Sequence, residues 1–146
     1  MTIRITNASD FTRKIEKVAR AMETNTDVLS KALAFKAYGQ GVTPKTPVDT
    51  GRARAAWNIS PNKIDYSTPP EDFSGGAQAA QASNKQKMSA VGSPKDVQSW
   101  YITNAVIYVP FLEAGRSKQA DAGQMVARTL VEIRSEVEKL FREIFK

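Results

Sequence analysis

The sequence predicts an α/β domain of the α+β kind: a small antiparallel sheet packed against long N-terminal and C-terminal helices, with an extended arm inserted between the strands. Three observations carry this. Apolar residues recur at helical spacing near both ends, at Phe11, Ile15, Val18 and Met22 and again at Val126, Leu130, Ile133, Val137, Leu140 and Ile144. Two short segments, Trp57-Asn58-Ile59 and Ser99-Trp100-Tyr101-Ile102-Thr103-Asn104, are rich in the aromatic and β-branched types that suit a pleated surface. Between them, residues 62–98 carry Gly75, Gly76, Gly92, Pro69, Pro70 and Pro94, six of the chain's fifteen glycines and prolines, and no leucine. A length of 146 residues suits one domain, 1–146, with 62–98 as its inserted arm.

The first helix is expected from about Ser9, placed as an N-cap, with Asp10 in the first turn, where a carboxylate meets the positive end of the helix dipole. A second stripe, Val28, Leu29, Ala32, Leu33 and Phe35, follows the weak helix formers Glu23-Thr24-Asn25-Thr26-Asp27. An unbroken helix over 10–40 would be about 46 Å long, more than a domain of this size spans, so a bend or break at 23–27 is expected. Gly39, Gly41, Pro44 and Pro47 then end the helical region. Asp49 or Thr50 caps one helical turn that runs into the Trp57 strand, which Pro61 stops and which pairs with the strand at 100–104.

The arm has too few apolar residues for a core of its own. It is expected to be weakly helical across 77–83, free in the monomer, and ordered against a neighbour. Its four lysines and four acids cancel, which makes DNA attraction a poor explanation for it. A short helix or turn is expected over 108–114. In the last helix, Leu130 is expected in the core, with Glu138–Arg142 and Lys139–Glu143 as i,i+4 pairs on the wet side.

The chain has no histidine and no cysteine. That removes serine–histidine and cysteine–histidine nucleophile pairs, thiolate zinc sites, redox dithiols and histidine metal triads. No catalytic residue, cofactor or metal ligand is assigned. Lysine and arginine outnumber acids 21 to 15, a formal charge of +6, but no block of five like charges exists, so the field is diffuse. The longest uncharged apolar run, 105–112, is too short to cross a bilayer, and a soluble protein made in the cytoplasm is expected.

Three motifs invite chemistry. Asp49-Thr50-Gly51 is the triplet of aspartic proteases, but that chemistry needs a buried apolar strand before the aspartate, where Thr46-Pro47-Val48 stands instead; a turn and cap is the better reading. Gly39-Gln40-Gly41 lacks the lysine and serine of a phosphate loop. Arg52, Arg54 and Trp57 combine guanidiniums with a stacking ring, as a nucleic-acid contact would. Alternation with Ile59 places Trp57 in the core instead, with one arginine paired to Glu113.

Two blocks carry a family resemblance. The first is Thr46-Pro47-Val48-Asp49-Thr50-Gly51-Arg52-Ala53-Arg54-Ala55-Ala56-Trp57. The second is Tyr101-Ile102-Thr103-Asn104, Tyr108, Leu112-Glu113-Ala114-Gly115 and Ser117-Lys118-Gln119-Ala120, continuing into Met125-Val126. In these the chain resembles the neck or tail-completion (minor tail) structural proteins of tailed double-stranded DNA bacteriophages. Asp121 and Gln124 stand where that family usually has a proline and a glycine.

The resemblance implies a virion protein without catalysis. It would form a homo-oligomeric ring at the head-tail joint, in six or twelve copies, touching head-connector and tail proteins and enclosing double-stranded DNA. Candidate interface residues are Arg52, Arg54, Tyr66, Phe73, Met88, Lys118 and Gln119, with Asp49 and Thr50 as structural caps. The alternative is a small basic nucleic-acid-binding protein acting outside the virion.

Overall fold

The computed structural model describes residues 1–5, 9–116 and 123–145. Three antiparallel strands, β1 (Thr2–Ile5), β2 (Trp57–Pro61) and β3 (Trp100–Asn104), form one sheet in the order β1-β3-β2. The α+β architecture and the β2–β3 pairing agree with the sequence; β1 is an addition to it. In Thr2-Ile3-Arg4 the alternation is too short to stand out, and it becomes a strand by finding the free edge of β3.

The register places Ile3 and Ile59 on either side of Ile102, Trp57 opposite Asn104 and Pro61 opposite Trp100. Directly opposed residues share a face, so Ile3, Ile102, Ile59, Trp57 and Trp100 make one buried apolar layer. Pro61 ends an edge strand, where its missing N–H costs no ladder bond.

Helices cover that layer. α1 (Ser9–Ala21) buries Ile15, Val18 and Ala19, and α2 (Thr26–Lys36) buries Leu29, Leu33 and Ala34. The expected break lies between them: Glu23 has a positive φ, and Asn25 caps α2 by accepting from the Val28 amide at 2.8 Å. Phe35 of α2 meets Trp100 edge-on, ring centroids 6.1 Å apart.

Gly39 and Gly41 do not end the helical region. The chain continues through a π-helical segment (Ala37–Val42) into α3 (Thr43–Lys45) and leaves the helical conformation only at Thr46. The reason is tertiary. A Cβ on Gly41 would lie 2.4 Å from Thr129 Cγ2, so glycine here serves the close approach of two helices. Pro44 has no N–H to give the helix, and the Lys45 ammonium supplies a donor to the Gln40 carbonyl, 3.3 Å away.

α7 (Met125–Ile144) buries Met125, Thr129, Ile133 and Val137. Leu130, expected in the core, is 37% exposed instead. The buried stripe is turned because Thr129 faces Gly41, its hydroxyl donating back to the Met125 carbonyl at 2.6 Å; a polar residue hidden in this way is invisible to hydrophobic periodicity. The ion pairs of α7 run to other elements, Glu132 to Lys45 and Glu136 to Lys36 (2.8 Å each) and Glu138 to Lys14, in place of the expected pairs along the helix.

The arm is docked on the body rather than free. α5 (Gly76–Ala90) extends the expected 77–83 helix in both directions and buries Ala80 and Asn84 against the rest of the chain. Before it, the chain crosses the second face of the sheet, where the Asn58 amide donates to the carbonyls of Asp65 (3.1 Å) and Ser67 (2.7 Å). Scattered apolar residues proved sufficient because small side chains and hydrogen bonds, not an apolar stripe, make this contact.

Candidate functional site

The first resembling block folds around α4 (Arg52–Ala55), a single helical turn entered through Gly51 at φ +91°. Only glycine fits there: a Cβ would meet the Gly76 carbonyl oxygen at 2.3 Å, and the Gly76 amide donates to the Thr50 carbonyl at 3.0 Å. The loop and the start of α5 are thus joined backbone to backbone. The Thr50 hydroxyl accepts from the Arg52 amide at 3.3 Å. Asp49 is exposed and accepts no side-chain hydrogen bond among the described residues, so the capping assigned to the pair falls to Thr50 and the Gly51 conformation.

Arg52 and Arg54 leave this turn on opposite sides. Arg52 Nε donates to the carbonyls of Pro69 (3.2 Å) and Pro70 (3.1 Å). Arg54 holds the carbonyl of Thr46 through Nε (3.0 Å) and a terminal nitrogen (2.7 Å), and that of Pro44 at 3.0 Å. Burial pushes the Arg54 guanidinium below its usual pKa. Neither pairs with Glu113. The Trp57 indole, fully buried, donates to the Thr46 hydroxyl (2.8 Å), which donates in turn to the Val42 carbonyl (2.7 Å).

A second layer of polar contacts fastens α5 to this block. The Tyr38 hydroxyl lies 2.8 Å from the Trp57 carbonyl and 3.0 Å from Asn84 Oδ1, and the Asn84 amide donates to the Arg54 carbonyl at 3.2 Å. Burial raises the Tyr38 phenol far above its usual range. Lys87 donates to the Trp57 carbonyl at 2.9 Å and to that of Ala55. Desolvation brings its ammonium down to about 8, against the opposing pull of Asp65. On the other flank the Asn104 amide donates to the Ala53 carbonyl at 2.8 Å and its oxygen accepts from the Val106 amide at 3.1 Å.

Between α2, the π-helical segment and α5 lies a cleft of about 650 Å³. Phe35 and Met88 supply apolar walls, and Lys36, Arg54 and Lys85 supply charge; among the described residues lining it there is no carboxylate. Among the described residues no three acidic side chains gather into a group that could hold a metal ion.

The other residues singled out by sequence are dispersed. Met88 lines the cleft, Phe73 is half-buried beside the turn that Arg52 holds, and Tyr66 is 65% exposed. Lys118 and Gln119 lie outside the described residues. Sequence reasoning missed Tyr38, Asn84 and Lys87: each reaches a main-chain carbonyl, and Tyr38 and Asn84 also meet each other from 46 residues apart, so no local pattern marks them. No protein-family model, curated protein or solved structure matches this chain.

Proposed function

We propose that this chain is a non-catalytic structural subunit of a bacteriophage neck, assembling into a homo-oligomeric ring that joins head connector to tail around the DNA channel. Beyond the resemblance of its two blocks, one observation carries the reading. Six polar side chains of those blocks, Thr46, Arg52, Arg54, Trp57, Asn104 and Glu113, are engaged with this chain's own backbone or with one another. They brace a scaffold and converge on no reacting centre.

Large apolar side chains meanwhile stand in solvent, Ile107 at 87%, Val131 at 67% and Phe111 at 54% exposed, which suits a protein whose remaining burial comes from assembly. Against the nucleic-acid-binding alternative, Trp57 is fully buried and offers no stacking platform.

Light scattering of the purified chain, followed by a virion reconstruction at side-chain resolution, tests the reading. A discrete oligomer, and density for a ring of it between portal and tail, is expected. A chain that stays monomeric and binds DNA with a steep salt dependence would replace this reading with the alternative.

A further inference from the structure

We propose that the cleft between α2 and α5 receives the acidic turn at residues 69–73 of a second copy of this chain, in a head-to-tail contact. The proposal rests on the oligomeric reading above and adds the two surfaces that meet.

The turn is built as a knob. Glu71 and Asp72 occupy its two central positions, both exposed, and the Phe73 amide closes it on the Pro70 carbonyl at 3.0 Å. Two prolines stiffen the approach, and Arg52 grips both of their carbonyls. A segment held in place before it binds loses little freedom on docking. Neither Glu71 nor Asp72 has a cationic partner within ion-pair distance among the described residues.

The cleft is complementary in charge. Lys36 is neutralised by Glu136 at 2.8 Å, but Arg54 is held only by neutral carbonyls and Lys85 is exposed without a carboxylate partner among the described residues. Two uncompensated cations therefore face a cleft with apolar walls, Phe35 and Met88, suited to the flanks of a proline-rich turn.

Placement selects a second copy as the occupant. Arg52 braces the knob and Arg54 borders the cleft, and residues two apart on a helical turn point about 160° apart. One chain cannot bring its own knob to its own cleft. Two different patches meeting between copies make a heterologous contact, which repeats in one sense and closes into a ring when the rotation allows.

Sedimentation velocity of the full chain over a concentration series tests this with two variants. One reverses the knob (Glu71→Lys with Asp72→Lys) and the other reverses the cleft (Lys85→Glu); all three positions are exposed, and circular dichroism checks that each variant folds. Each reversal is expected to weaken self-association at least about tenfold, because like charges then oppose across the contact. Mixing the two variants pairs intact knob with intact cleft and reversed knob with reversed cleft, so association is expected to be restored in the mixture. Wild-type oligomers undisturbed by either reversal, or a mixture that associates no further than its parts, would overturn the contact and leave the ring reading standing. A wild-type chain monomeric at every concentration would overturn both.

Discussion

The Glu113 carboxylate accepts hydrogen bonds from the backbone amides of Val126 (3.0 Å) and Ala127 (3.2 Å), capping α7 from the end of α6 (Val109–Glu113). Gln124, next to the helix, is in a left-handed conformation and caps nothing with its side chain. A remote residue thus satisfies free amides at the start of the longest helix, with its negative charge at the positive end of the dipole. Glu113→Ala should cost about 1–2 kcal/mol in urea unfolding, and Glu113→Gln less, since an amide oxygen still accepts. Equal losses for the two would show that the side chain serves packing alone.

Gly51→Ala should destabilise by more than about 1 kcal/mol, because a Cβ is strained at positive φ. The new methyl would also press on the Gly76 carbonyl, so amide hydrogen exchange should quicken in the first turn of α5. Unchanged protection there would mean that the two backbones are not coupled.

On α7 the exposed and buried faces separate by substitution. Ile133→Ala should cost about 2–5 kcal/mol as a core truncation. Leu130→Ala, on the solvent side, should cost less than about 1 kcal/mol. Calorimetry of the two variants decides; a large loss at Leu130 would restore the stripe that periodicity predicts.

Lys87 makes stability depend on pH in an unusual direction for a lysine. Its folded pKa of about 8 lies below the value near 10.5 of a free lysine, so between the two the unfolded chain binds the extra proton. Stability contributed by this group therefore rises as pH increases from about 8 toward 10, and the burden of the buried charge is fully present below that window. Partial solvent screening limits the gain to on the order of 1–2 kcal/mol. Unfolding free energies at both ends of the window should show this rise in the wild type relative to Lys87→Met, which keeps the stem and lacks the charge. Parallel pH profiles would exclude Lys87 as the source.

Much of the fold is written in local pattern. The helices at both ends, the break at Asn25, the strands at Trp57 and Trp100 and their pairing follow from spacing and residue type, because each element buries one face and repeats with its own period; the buried face of α7 was legible only at Ile133 and Val137. The arginines on either side of Ala53 were legible as a motif for the same reason. What the tertiary structure alone decided lies where a residue's partner is main chain or distant in sequence. Ile3 becomes a strand residue only beside Ile102, Gly41 lies inside a helical segment where Thr129 leaves no room for a Cβ, and the arm is held where Tyr38, Asn84 and Lys87 reach carbonyls. Periodicity reports which side of an element is apolar; it carries no record of which carbonyl a buried donor will find, since every residue offers the same one.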